Sequence, residues 1–167
     1  MDCKRIVVKV GTSTLTHDTG QTNIRQMKKL VSVRADIVNS GVEVALVSSG
    51  SIGVGAGKLG IEERPSDTAS KQALSTVGQC ELMFMYDKMF NEYSHTIGQI
   101  LVTKRDLEND ESKENLINSF EKLFEYGAVP IVNENDAIAI DEIVFGDDDA
   151  LSAIIARFIG ADKLIIL

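Results

Sequence analysis

A chain of 167 residues that is 44% hydrophobic can bury one sizeable core, so a single domain is the default. Its 25 acidic residues against 17 basic ones leave a net charge of −8, which argues against non-specific nucleic-acid binding, a property of basic surfaces. Cys3 and Cys80 match no metal or redox spacing, and no apolar run approaches the roughly 20 residues that cross a bilayer, so a cytoplasmic protein with structural thiols is expected.

In chain order, Ile6-Val7-Val8-Lys9-Val10 is a short apolar run closed by Gly11, which predicts a buried strand. A lysine inside such a run must have its charge paired. Lys9 either snorkels to a sheet edge or points at a phosphate, with the backbone N–H groups of Gly11 and Thr12 beside it. From Thr22 to Ser40, Ile24, Met27, Leu30, Val31, Arg34, Ile37 and Val38 recur at helical spacing, and Gly41 follows as a stop. Val42 to Val47 predicts a second strand. Ala69 to Tyr93 reads as a long amphipathic helix with Leu74, Val77, Leu82, Met85, Met89 and Phe90 inward and Gly78 as a candidate kink. Its methionines are expected to fill core.

Ile97 to Val102 is the third predicted strand. Glu111 to Tyr126 is a helix, with Leu116, Phe120, Leu123 and Phe124 inward and Gly127 as its stop. Val129 to Val132 is a fourth strand, Ala150 to Ile159 a helix, and Lys163 to Leu167 a fifth strand. Strands alternating with helices imply right-handed crossovers and a mainly parallel sheet covered on both faces, a three-layer αβα sandwich. Ligands in such sheets sit at the C-terminal ends of the strands. Three polar elements land there: Lys9 with Gly11-Thr12-Ser13-Thr14, then Ser48-Ser49-Gly50-Ser51, then Asn133 to Asp136.

The stretch from Asn133 to Asp149 is the most informative. Seven carboxylates lie between Glu134 and Asp149, interleaved with Ile138, Ile140, Ile143 and Val144. The alternation predicts a hairpin that holds acids in place, and fixed acids need a cation, an ammonium group or N–H donors. Contiguous Asp147-Asp148-Asp149 lacks the ligand spacing of a calcium-binding loop. Gly55-Ala56-Gly57-Lys58-Leu59-Gly60 matches the dinucleotide fingerprint formally, but its glycines do not sit in a strand-to-helix turn. It also fails the phosphate-loop pattern at Leu59. These small residues are expected to let a helix start close to a ligand after Ser48-Ser49-Gly50. Lys71 and Arg105 read as surface charge rather than anion contacts, and His17 and His95 are isolated.

Six segments in register carry a further resemblance. They are Val8-Lys9-Val10-Gly11-Thr12-Ser13; Val47-Ser48-Ser49-Gly50-Ser51-Ile52; and Ala69-Ser70-Lys71-Gln72 with Val77-Gly78-Gln79. Then follow Val132-Asn133-Glu134-Asn135-Asp136-Ala137, Gly146-Asp147-Asp148-Asp149-Ala150-Leu151-Ser152-Ala153, and Gly160-Ala161-Asp162-Lys163-Leu164. Over the whole chain these resemble the amino acid kinase family, and within it the members that phosphorylate glutamate. The resemblance implies transfer of the γ-phosphoryl of ATP, with Mg2+, to the γ-carboxylate of L-glutamate, giving γ-glutamyl phosphate for proline biosynthesis. It implies that Lys9 contacts the transferring phosphoryl group, that Gly11 and Thr12 line the phosphate path, and that Asp149 orients Lys9. Ser49 and Gly50 would hold glutamate, Asn133 and Asp136 would grip its α-amino end, and Asp147 and Asp148 would complete the pocket. Proline as a feedback inhibitor and a homo-oligomer are further expectations.

Two departures stand out. The family usually has Asn where this chain has Asp148. Family members also continue beyond the last strand into a Ser/Thr-Asp-x-x-Gly-Leu-Tyr-like segment and a nucleotide-binding half with a second catalytic lysine. Residues 1–167 are therefore expected to be a substrate-binding portion, inactive alone. The alternatives are a non-catalytic glutamate- or proline-binding regulatory module, or a family member acting on aspartate, acetylglutamate, carbamate or a nucleotide.

Overall fold

The computed structural model describes residues 3–17, 21–63, 65–139 and 148–167, the side chain of Asp148 excepted. Five strands, β1 (Arg5–Val10), β2 (Glu43–Ser48), β3 (Ile97–Val102), β4 (Val129–Glu134) and β5 (Lys163–Ile166), form one sheet in the order β3-β4-β2-β1-β5. Every pairing is parallel, with Val8 opposite Leu46 on one side and Ile165 on the other. The sheet therefore has all its strand C-termini on one rim. The predicted three-layer αβα sandwich is the observed architecture.

The pleat sends successive side chains to opposite faces. Ile6, Val8, Val10, Val44, Leu46, Val129 and Ile131 pack on one face against α2 (Ile24–Asn39), α3 (Ser51–Leu59) and α4 (Thr68–Asn91). Val7, Ala45, Val47, Ile100, Val102 and Val132 pack on the other against α5 (Lys104–Glu108), α6 (Asp110–Glu125) and α7 (Asp148–Phe158). Lys9 shares the Val7 face, beneath α7. It lies on an interior strand, so the edge-snorkelling alternative has no edge to use. A short α1 (Thr12–Leu15) follows β1 at once and plugs the core with fully buried Leu15.

Four of the helices, α2, α4, α5 and α6, start where short polar side chains take their free N–H groups. Asn23 accepts from the Gln26 N–H, Asp67 from Ser70 and Asn109 from Ser112, while Thr103 and Asp106 form a reciprocal capping box. Gly41 and Gly127 end α2 and α6 with positive φ, as the sequence predicts. Gly78 does not break α4, which runs unbroken through 24 residues. Its lack of a side chain serves a close approach instead: a Cβ there would overlap the Ser51 carbonyl, and one on Gly55 would overlap the Leu74 carbonyl. Gly55 is thus a helix-packing contact in α3, while Lys58, Leu59 and Gly60 at the end of the stretch are exposed.

At the opposite rim, where the strands begin, Arg5 ties four elements together. Its guanidinium donates to Glu43 at 2.6 Å, to Glu121 at 2.6 Å and to the Ile159 carbonyl at 2.5 Å, and it stacks over the Phe124 ring at 4.5 Å. The Glu121 contact is the main reason its carboxyl is held below the usual range. Asp162 accepts the backbone N–H groups of Lys4 and Arg5 at 2.7 and 3.0 Å.

Candidate functional site

The C-terminal rim gathers the polar loops after β1, β2 and β4. After β1, Lys9 Nζ stands 2.8 Å from Asp149 Oδ1, in the first turn of α7. The lysine side chain is only 13% exposed, the aspartate 37%. Gly11 follows, and its N–H donates to the Leu167 carbonyl at 3.2 Å. That N–H is consequently engaged by the fifth strand. A phosphate beside Lys9 would be left with the Thr12 and Ser13 N–H groups at the start of α1. A Cβ on Gly11 would crowd the Leu167 carbonyl at 3.3 Å and touch Lys9 Nζ at 3.6 Å, so the glycine serves the close approach of the chain after β5.

After β2, the Ser49 hydroxyl donates to the Val10 carbonyl at 2.9 Å, binding the two loops together. Gly50 has φ +88°, a left-handed conformation that favours glycine, and it abuts Thr12, whose side chain would be 3.4 Å from an added Cβ. From Gly50 the chain turns directly into α3. Ser48 lies on the opposite face, its hydroxyl 3.1 Å from that of fully buried Tyr86. Burial there pushes the phenol up to about 12.

After β4, Asp136 is a carboxylate held by two hydroxyls. Its Oδ2 accepts the Ser51 hydroxyl at 2.7 Å and the Ser75 hydroxyl at 2.9 Å, and Ser75 also lies 3.2 Å from Ser51. Both serines are buried. Gln72 donates to the Ala139 carbonyl and Gln79 to that of Glu134, at 3.3 and 3.5 Å. Gln72, Ser75 and Gln79 thus form a polar stripe along α4 that fastens the loop after β4. A cavity of about 460 Å3 opens there, bordered by Ser75, Gln79, Met83, Leu101 and Asp136.

Asn133 is 3% exposed. Its Oδ1 accepts the Glu134 N–H at 2.8 Å, which fixes the orientation of the amide. Among the described residues its Nδ2 has no partner. The free end of Asn133 is therefore a donor. An N–H donor of this kind is complementary to an acceptor such as a carboxylate oxygen.

The structure brings Lys9, Gly11, Thr12, Ser49, Gly50, Asn133, Asp136 and Asp149 to one rim. Asp147 and the Asp148 side chain lie outside the described residues, as does the middle of the expected acidic hairpin. The ends of that stretch belong to other elements: Asn133 and Glu134 finish β4, and Asp148 and Asp149 open α7. Ser51 and Ser75, which hold Asp136, were not among the predicted site residues. Arg105 and His17 are exposed, away from these contacts. No cluster of three or more His, Cys, Asp or Glu suited to a metal occurs among the described residues. No helix of the described residues is long and apolar enough to cross a membrane.

Fold and rim together define a parallel-sheet α/β protein with charged and polar side chains gathered at the strand ends. Residues 4–167 match the Amino acid kinase family, and the chain belongs to that family. It is 56% identical over 170 residues to the glutamate 5-kinase of Clostridium perfringens, covering 99% of this chain and 63% of that protein. It is 50% identical to the glutamate 5-kinase of Clostridium acetobutylicum, covering 98% of this chain and 61% of the relative. The chain thus spans a little over three-fifths of the length of these curated relatives. The crystal structure of UMP kinase from Ureaplasma parvum shares the fold, with a TM-score of 0.62 at 16% identity over 99% of this chain and 69% of that one.

Proposed function

We propose that the chain supplies the acceptor side of a kinase that phosphorylates the γ-carboxylate of L-glutamate, with ATP as donor. The carrying observation is the pairing, on one rim, of a lysine beside α7 with a carboxylate clamped between α3 and α4. The first suits a transferring phosphoryl group and the second an ammonium group. The names of the Clostridium relatives support glutamate as the substrate.

In this reading, Asp136 faces the α-ammonium of glutamate and the Asn133 amide donates to its α-carboxylate. Asp147 and Asp148 are proposed to close this pocket. The far carboxylate is then aimed past Ser49 and Gly50 towards Lys9. A γ-carboxylate oxygen forms the new bond to phosphorus as the bond to the departing ADP oxygen breaks. Lys9 neutralises charge on the phosphoryl oxygens throughout, and Asp149 holds the lysine oriented. Transfer of this kind needs positioning and charge compensation more than a protein nucleophile. Mg2+ fits as a companion of the nucleotide phosphates, since it binds through few protein oxygens and several of its own waters. Lys9 with the Thr12 and Ser13 N–H groups would hold the phosphoryl end. Proline, with a cationic nitrogen next to a carboxylate, is proposed to compete at the Asp136–Asn133 pair.

The test is hydroxylamine trapping of the acyl phosphate made by the full-length protein from ATP and L-glutamate. Glutamyl hydroxamate is expected, with aspartate, carbamate and UMP giving little turnover. Glutamate binding without any ADP release would instead favour a regulatory binding module.

A further inference from the structure

Asp136 sits on the loop after β4, yet neither of its hydrogen-bond donors comes from that loop. Ser51 comes from the first turn of α3 and Ser75 from the middle of α4. Both hydroxyls converge on Oδ2, and among the described residues Oδ1 accepts nothing. A serine has one O–H; both hydroxyls lie within hydrogen-bond distance of the same oxygen, and Ser75 is nearer to it, at 2.9 Å, than to the Ser51 hydroxyl, at 3.2 Å. That arrangement restrains rotation of the carboxylate through one oxygen while Asp136 borders the cavity after β4. A buried pair of hydroxyls meeting across two helices is not explained by helix capping. Ser51 follows the helix cap, Gly50, and Ser75 lies seven residues into α4.

We propose that Ser51 and Ser75 are positioning residues that lock the Asp136 carboxylate so that its free oxygen meets the substrate's ammonium group. This rests on the reading of Asp136 given above. The two hydroxyls add no charge. Their contribution is to make the carboxylate rigid before substrate arrives, which lowers the ordering cost at binding. They also make the amine contact depend on how α3 lies against α4, and thus on two helices that never touch the ammonium group themselves.

The experiment compares L-glutamate with glutarate, which has both carboxylates and no amine, in the full-length protein. The ratio of the glutarate inhibition constant to the glutamate KM reports the amine contact alone. Asp136→Asn is expected to collapse this ratio. Ser51→Ala/Ser75→Ala is expected to lower it about tenfold, the scale of one hydrogen bond to a charged group, and each single change about threefold. Binding of glutarate and the KM for ATP should be unchanged. A double variant that keeps the wild-type ratio overturns the proposal, as does one that weakens glutarate and glutamate equally, because that is a purely structural defect. If the double variant does not fold, the single variants decide by the same ratio. A ratio insensitive to Asp136→Asn would instead overturn the assignment of Asp136, and so separates the two failures.

Discussion

A methyl group on Gly78 would overlap the carbonyl oxygen of Ser51, so α3 can lie on α4 only because residue 78 lacks a side chain. Ser51 also donates to Asp136, so the spacing of the two helices is passed directly to the rim. Gly78→Ala should therefore act twice. Forced separation of the helices is expected to cost about 1–3 kcal/mol, as overpacking commonly does, and the glutamate KM should rise. Denaturant unfolding and steady-state kinetics on the same variant check both effects. Unchanged stability and unchanged KM would mean that α3 can shift without disturbing the loop after β4.

Lys9→Ala should lower kcat on the order of a hundredfold, the effect of removing one preorganised charge donor from a transition state. The glutamate KM should change far less, because the acceptor pocket lies on the other flank of the rim. Rapid-quench measurement of acyl phosphate separates the chemical step from product release. A near-normal kcat would leave Lys9 with a structural role only.

Asn133→Asp replaces an amide donor with an anion where a substrate carboxylate is proposed to sit. Like charges about 4 Å apart repel by up to about 4 kcal/mol at an effective dielectric near 20. Glutamate affinity should fall by more than tenfold, and calorimetric titration reads it. Stronger binding in this variant would mean that the ammonium group, not a carboxylate, faces residue 133.

Tyr86 gives a pH dependence at the alkaline end. Burial, outweighing the Ser48 hydrogen bond and the nearby Arg34, raises its pKa to about 12. The unfolded phenol titrates near 10. The folded state therefore disfavours the phenolate, and the group's full contribution is present below about pH 10 and lost as pH rises towards 12, up to about 3 kcal/mol. In Tyr86→Phe the part of the alkaline decline due to this phenol should vanish, with about 1 kcal/mol lost at neutral pH from the missing bond to Ser48. Urea melts from pH 8 to 11.5 test this.

Asp162 acts in the opposite direction. The backbone N–H groups of Arg5 and then Lys4 hold its carboxyl below the ordinary range. A depressed carboxylate stabilises the fold above the unfolded pKa, near 4, and loses that effect as pH falls through the folded value. Asp162→Asn should reduce stability at pH 7 and flatten the acid limb. Acid titration followed by far-UV circular dichroism would show an unaltered limb if the contact carried no weight.

The sheet and the long helices were legible because they rest on local pattern. Runs such as Ile6–Val10 and Val129–Val132 are apolar on both faces, and α6 repeats its inward residues at helical spacing. The strand order was not legible, since β4 enters between β3 and β2 through pairings distant in sequence. Lys9 drew notice because a charge within an apolar strand is unusual. Ser75 had no such signal, being one small polar residue on a long helix until β4 and α3 are brought to it. Gln72, Ser75 and Gln79 do recur on one helical face, and that spacing was the available hint of a fastening stripe. Gly78 was noticed but assigned a kink, because sequence shows the missing side chain and not the neighbouring carbonyl that requires it. For Asn133 the sequence showed an amide but not that the oxygen is taken by the Glu134 N–H, a local bond that residue type alone does not reveal.

The Arg5 cluster and the Lys9 rim sit at opposite ends of the same strand, about 13 Å apart at the rise of a parallel strand. Ions in solution damp fields between exposed charges over roughly 8 Å at physiological salt. The outer carboxylates of Glu43 and Glu121, which are 39% and 51% exposed, are therefore largely screened from exposed charges at the rim. A ligand of either sign at the exposed rim acts only weakly on the cluster that holds the layers together.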